Sequence, residues 1–248
     1  MAKTALVLSG GGMFGAYQAG VWLALQEHFR PDSVVGASVG SLNGWAIAGG
    51  ISGEDLAAHW RDERHGVPHR WRFPRSIYGG AIDADSLNGW IRDLHAAWTP
   101  QCPFGVALTE MWTFRPRLIT VPGVTWRHLA ASCGVPLLLP QHRFDGRWYA
   151  DGGLLAALPV WGAAQMGAER AVCVDLIGGG SPALTFGARL LRNWARFDAA
   201  PPAQLEVVDL SPPERLGPSA EMVEWRRDRI ERWIEMGYRT ALAKKHLL

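Results

Sequence analysis

The chain opens with a short unbroken apolar run, Thr4-Ala5-Leu6-Val7-Leu8-Ser9, stopped by Gly10-Gly11-Gly12. Such a run, bounded by glycine, predicts a buried strand. Tyr17, Val21, Leu25 and Phe29 then recur every four residues, the spacing of one helical face, and Pro31 closes the segment. Ser33-Val34-Val35 predicts a second brief strand. Val39 to Ala48 predicts a helix of small residues ending at Gly49-Gly50. Strand, helix, strand, helix in succession predicts a sheet that is at least partly parallel and covered on both faces.

The pattern changes over 51–104, which is rich in Trp, Arg and Pro, with helical stretches near 54–62 and 85–97. Strand signals return at Val106–Thr109 and Arg117–Val121. Gln141–Phe144 and Arg147–Ala150 flank Asp145-Gly146, a two-residue hairpin signal. Ala171–Ile177 and Gln204–Leu210 predict further central strands. Ser219 to Lys244 predicts one long helix. Its core-docking face is marked by Met222, Ile230, Trp233, Ile234, Gly237, Tyr238 and Ala241. With no internal repeat and no clear linker, residues 4–248 are expected to form one domain, with 51–104 as its variable helical segment.

Composition narrows the classes. The 248 residues are 48% hydrophobic and 19% charged, enough for a sizeable core and unlike a disordered chain. The balance of 25 Lys+Arg against 23 Asp+Glu is no nucleic-acid signature. Cys102, Cys133 and Cys173 form no C-x-x-C and are odd in number, so neither a disulfide framework nor a zinc cluster is indicated. They are expected to be reduced and partly buried. No apolar run reaches the roughly 18 residues of a membrane span. No signal-peptide pattern precedes the first strand, so a cytoplasmic location is expected.

Three stretches carry chemistry. Gly10-Gly11-Gly12-Met13-Phe14-Gly15 joins the first strand to the first helix. Glycine lets backbone approach a ligand closely, and the helix behind adds free N–H groups and a positive dipole end. Such a loop is an anion cradle, for a phosphate or for a developing oxyanion. It also fits G-x-G-x-x-G, the dinucleotide fingerprint, which needs an acidic residue at the end of the next strand. Asp32 lies before that strand instead. At the strand's end stands Gly36-Ala37-Ser38-Val39-Gly40, a serine between small residues where strand meets helix. That is the setting of a nucleophile elbow, whose backbone folds back and needs room on both sides. The third stretch, Asp151-Gly152-Gly153, follows the second hairpin strand and leads into apolar Leu154–Val160; taken alone, it also reads as ordinary turn chemistry.

A serine nucleophile needs a proton acceptor. The order serine, acid, histidine of α/β-hydrolases fails here, because only His246, near the C-terminus, follows Asp151. A carboxylate acting directly is the other route. Asp at its ordinary pKa of about 3.9 is a weak base, so it must be desolvated or held beside the serine.

Together the glycine loop, G-x-S-x-G and D-G-G, in that order, resemble the patatin-like phospholipases. The likeness extends through Leu6–Val21, Ala130–Pro140 and Asp145–Val160, and covers most of 4–50 and 125–170. It implies an α/β protein, a three-layer α/β/α fold with a mostly parallel central sheet. It implies lipid acyl ester hydrolysis through an acyl-serine, with no metal and no cofactor. By the same resemblance Ser38 would be the nucleophile and Asp151 the base. Backbone amides around Gly10, Gly11 and Gly12 would form the oxyanion hole, with Gly15, Gly36, Gly40, Gly152 and Gly153 as motif glycines. Two positions depart from the family pattern. Phe14 stands where the loop usually carries Arg or Lys, so a nearby positive charge is lost. Ala156 and Ala157 stand where polar sequence commonly follows D-G-G.

A lipid-like ester is therefore the expected substrate, and nucleic acid is not an expected partner. Arg70-Trp71-Arg72-Phe73-Pro74-Arg75 interleaves bases with aromatics, and Arg189, Arg192, Trp194, Arg196 and Phe197 lie close in sequence. Both patterns suit peripheral contact with a lipid surface. Acyl-chain choice is expected to reside in 51–104 and 178–248. Two other classes stay open: a nucleotide- or dinucleotide-binding protein using the same glycine loop, and a non-catalytic member of the family.

Overall fold

The computed structural model describes residues 2–66, 71–74, 76–178, 192–193 and 195–248. Its strands are β1 (Thr4–Leu8), β2 (Ser33–Gly36), β3 (Phe104–Glu110), β4 (Arg115–Thr120), β5 (His142–Phe144), β6 (Arg147–Asp151), β7 (Arg170–Val174) and β8 (Glu206–Asp209). They form one sheet in the order β5-β6-β3-β2-β1-β7-β8, with β4 also paired to β3. From β3 through β8 the pairing is parallel, while β4, β5 and β6 pair antiparallel. The hairpin of β5 and β6 turns on Asp145 and Gly146, both at positive φ, 50° and 75°. That is the turn an Asp-Gly pair favours.

The apolar run of β1 is continuous because both faces of the sheet are covered. Leu6 and Leu8 enter a large core with Val34, Phe104, Val106 and Val172. Ala5 and Val7 enter a smaller one with Val35, Val160, Ala163 and Ala171. Burial of a leucine side chain stabilises by about 1.5–3 kcal/mol. The large core carries α1 (Gly15–Leu25), α2 (Val39–Ala48), α3 (Gly53–Arg61), α4 (Asp85–Ala97) and α5 (Trp126–Ser132). The smaller core carries α6 (Val160–Gln165). Every residue of α2 is buried, and every residue of α1 except Leu23. These helices are enclosed on all sides and so present no single apolar stripe.

The last helix, α7 (Arg227–Lys244), does present a stripe: Ile230, Trp233, Ile234, Gly237 and Ala241 are buried. It packs on α1, and glycines let the two backbones meet. A Cβ on Gly20 would lie 1.9 Å from the Ile234 carbonyl oxygen, and one on Gly237 would lie 2.1 Å from that of Tyr17. Gly20→Ala is therefore expected to push the helices apart and destabilise the fold by about 2–3 kcal/mol. The melting temperature should drop by roughly 4–12 °C, checked by calorimetry.

Four expectations are corrected. The predicted helix from Ser219 begins only at Arg227. Residues Ser219–Val223 form a separate short 3-10 turn, against which the glycine loop closes, with Met222 over Gly12. Trp225 donates its indole N–H to the Trp60 carbonyl. These contacts hold 219–226 out of the helix. The strand read at Gln204–Leu210 is β8, which ends the sheet order rather than lying at its centre. The strand read at Ala171–Ile177 stops at Val174, and α5 and α6 lie where no helix was expected.

One pairing detail positions the site. Strand β4 occupies one edge of β3 over Gly105–Glu110. The other edge is shared: β2 runs along it as far as Val106, and β6 arrives from the opposite direction as far as Leu108. The carboxyl ends of β2 and β6 therefore point at each other across Ala107. Ser38 follows the first end and Asp151 closes the second.

Candidate active site

Ser38 sits between β2 and α2 at φ 52° and ψ −131°, a conformation that strains a residue with a side chain. The fold-back explains the glycines around it. A Cβ at Gly36 would lie 2.2 Å from the Gly40 carbonyl oxygen, and one at Gly40 would lie 2.3 Å from that of Leu8. Gly10 faces the same serine: its Cβ would stand 3.0 Å from the Ser38 Cβ and 3.8 Å from Oγ.

Asp151 is buried at the end of β6. Its Oδ1 accepts the Gly153 N–H at 2.6 Å. A Cβ at Gly152 would strike the Ala107 carbonyl at 2.3 Å, so D-G-G turns the chain tightly against β3. Burial pushes the carboxyl up from 3.8 to about 6, while the Ser38 hydroxyl beside it and the Gly153 N–H pull it part of the way back. Asp151 is thus ionised at neutral pH and a stronger base than an exposed aspartate.

The glycine loop leaves the carboxyl end of β1, between β2 on one side and β7 on the other, where the sheet's connections diverge. Ligands of open α/β sheets bind at such points. The three amides are not equivalent. Gly10 N–H donates to the Ala157 carbonyl at 3.0 Å, whereas Gly11 N–H and Gly12 N–H have no partner among the described residues. A buried polar network fixes the loop from behind. Gln18 donates to the Ser9 carbonyl, Asn43 donates to Gln18 and to the Gly15 carbonyl, and Trp60 donates to Asn43.

Sequence reasoning assigned no role to Ser132 or Cys133 at the end of α5. The Ser132 hydroxyl accepts the Ser38 N–H at 2.8 Å. The Cys133 thiol is buried beside the Ser38 hydroxyl, and burial and the Asp151 charge push its pKa up. The Ala130–Pro140 likeness flagged this stretch but not its task.

Other expectations find their places. All three cysteines are free; Cys133 and Cys173 are buried. Phe14 is buried, edge-on to Trp233 at 5.0 Å. The Ala156 side chain is buried, and Ala157 contributes the carbonyl that takes Gly10 N–H. His246 is exposed in the terminal turn. Asp32 accepts the Thr4 N–H at the start of β1, the end of that strand remote from the glycine loop. Gly15 packs tightly on Val39 and Trp60.

Fold and site define a class: α/β proteins carrying a serine on a tight strand-to-helix turn beside a buried carboxylate. The sequence profile of the family described as patatin-like phospholipase matches residues 6–164. The chain belongs to the patatin-like phospholipase family. It is 28% identical over 187 residues to patatin-like phospholipase domain-containing protein 7 of Rattus norvegicus, covering 69% of this chain and 13% of that protein. It is 28% identical over 183 residues to lysophospholipase NTE1 of Scheffersomyces stipitis, covering 69% of this chain and 11% of that one. The chain thus spans about an eighth of the length of these relatives. In structure it is similar to VipD of Legionella pneumophila, with a TM-score of 0.52 at 12% identity, covering 99% of this chain and 67% of VipD.

Proposed function

We propose that this chain is a carboxylic ester hydrolase that cleaves lipid acyl esters with Ser38 as nucleophile and Asp151 as base. The observation that carries the proposal is the convergence of β2 and β6 on β3, which sets the Ser38 hydroxyl beside a buried carboxylate. As Oγ attacks the ester carbon, its proton passes to Asp151. The negative charge that develops on the carbonyl oxygen is met by the N–H groups of Gly11 and Gly12, which have no partner among the described residues, with Gly10 N–H already engaged by Ala157. Collapse releases the alcohol, which takes the proton from Asp151, and leaves an acyl-Ser38. Water then attacks that ester and gives its proton to Asp151; on collapse the departing Ser38 Oγ takes that proton back, which frees the fatty acid and restores the serine and the carboxylate. Nothing in this cycle calls for a histidine or a metal.

The departure at position 14 does not weaken the proposal, because the oxyanion donors are backbone amides and the Phe14 ring packs on Trp233. The dinucleotide alternative lacks its acid at the end of β2. The test is release of fatty acid from phospholipid and lysophospholipid micelles by the purified protein. Turnover supports the proposal; none from either lipid or from a short-chain ester overturns it.

The proposal extends to the cytoplasmic face of an anionic membrane. Among the described residues no helix is long and apolar enough to cross a bilayer. Phe73, Ile77 and Leu137 are 97%, 75% and 75% exposed, and Trp71 and Trp112 are also exposed. Backbone bonds from Ala81 to Leu137 and from Ile82 to Leu138 tie these segments into one surface. Tyr78 lies 4.1 Å from Trp148 and 6.3 Å from Trp112. Arg72 shares the patch, and Arg143 stands opposite Trp148 in the sheet. Aromatics edged by arginine fit an anionic lipid interface. Arg70, Arg75, Arg189 and Trp194 lie outside the described residues. Arg192 and Phe197 are engaged within the protein, by Leu155 and Trp161. The double variant Phe73→Ser, Ile77→Ser should lose at least about 5-fold in co-sedimentation with anionic liposomes and keep its rate on a soluble ester. Equal binding by variant and wild type would remove this surface from the account.

A further inference from the structure

Resting on Ser38 as the nucleophile, we propose that Ser132 is its positioning residue: one buried hydroxyl, held by Ala107, fixes the Ser38 backbone in the strained turn. The geometry is specific. Ser132 is fully buried at the last position of α5. Its Oγ–H donates to the Ala107 carbonyl at 2.9 Å, and its Oγ accepts the Ser38 N–H at 2.8 Å. A hydroxyl has a single proton. With that proton held by Ala107, the oxygen's lone pairs are left for the Ser38 N–H, so the direction of the second bond is set by the first.

The need for such a bridge follows from the strand pairing. Ala107 is the residue of β3 that neither β2 nor β6 covers, because one ends at Val106 and the other at Leu108. Where two strands abut head-on, no ladder is left to satisfy the backbone. Ala107 C=O and Ser38 N–H are the groups exposed by that break, and a buried unpaired backbone group is strongly disfavoured. The carbonyl of Ser38 is pinned as well, by Ser41 N–H at 2.8 Å and Ser41 Oγ at 2.7 Å. Both polar ends of the strained residue are therefore held, and its χ1 is the freedom that remains.

The same stretch of chain also holds the carboxylate. Two residues past Ser132, the Gly134 carbonyl accepts the Asp151 N–H at 3.1 Å. Ser132 and Gly134 thus grip the two catalytic partners from one short segment, with the Cys133 side chain between them. A segment tied to both sets their separation more firmly than either strand end alone.

The experiment compares wild type, Ser132→Ala and Ser132→Cys. In Ser132→Ala, kcat should fall 10- to 100-fold with KM within 2-fold of wild type, and the pH at which activity rises should not move. Hydrogen exchange at the Ser38 amide should quicken at least 10-fold. Ser132→Cys keeps a weaker donor and acceptor in the same place and should lie between. If Ser132→Ala does not fold, Ser132→Cys decides by the same readouts. A folded variant with wild-type kcat, or with an unchanged Ser38 amide, overturns the proposal. If the wild type hydrolyses no ester, the hydrolase proposal fails by itself, and amide exchange alone decides whether Ser132 holds the turn.

Discussion

Ser38→Ala is expected to abolish ester hydrolysis, with kcat falling by about 10⁴–10⁶. The variant should fold as the wild type does, because the hydroxyl contributes no hydrogen bond to the backbone of the turn. The Ser132 bond runs to the Ser38 N–H and the Ser41 bonds run to its carbonyl, so alanine keeps every one of them. This separates the function classes. A hydrolase loses its nucleophile, whereas a nucleotide-binding protein built on the glycine loop would keep its affinity. Fatty acid release by Ser38→Ala above one-hundredth of the wild-type rate, with a melting temperature unchanged, would mean that another group attacks the ester.

The second large effect is at Asp151. Asp151→Asn should lower kcat by roughly 10³–10⁴, since the amide keeps the shape but cannot accept the proton. The Gly153 N–H still finds an oxygen, so the turn survives. Stability should move the other way. The carboxyl titrates at 3.8 when exposed and at about 6 in the fold, raised by burial. Below pH 3.8 it is neutral in both states and costs nothing. As pH rises through the window from 3.8 to about 6, the unfolded chain releases its proton before the folded one does. Folding then loses about 3 kcal/mol, fully so above pH 6. Asp151→Asn carries no such penalty. It should be more stable than wild type at pH 7, and the two should converge near pH 4 in denaturant titrations. The wild-type kcat should rise with pH along one limb and level off above about 6. An equal stability gap at pH 4 and pH 7 would show that the carboxyl is not buried as described.

Much of this site was legible because its parts are encoded locally. A strand buried on both faces must be apolar throughout, and a serine on a fold-back turn must have small neighbours. Hence Leu6–Leu8, Ser38 and its flanking glycines stand out in the sequence. The hairpin at Asp145-Gly146 is legible for the same reason. What escaped depends on contacts between distant segments. Helices α5 and α6 have 7 and 6 residues, too few to show a period. Ser132 meets Ser38 only because β3 brings α5 under the turn. The Gly10 amide looks like its two neighbours until Ala157 takes it. The edge position of β8 depends on sheet order, which no local pattern encodes.

The pairing of Ser38 with Asp151 is tested most directly by covalent capture. Wild type and Asp151→Asn are exposed to a fluorophosphonate, and the modified peptide is located by mass spectrometry. The account predicts a single adduct on Ser38, formed at least about 100-fold more slowly when the carboxylate is an amide. An adduct on another residue, or a Ser38 that labels equally fast without the Asp151 carboxylate, would contradict it.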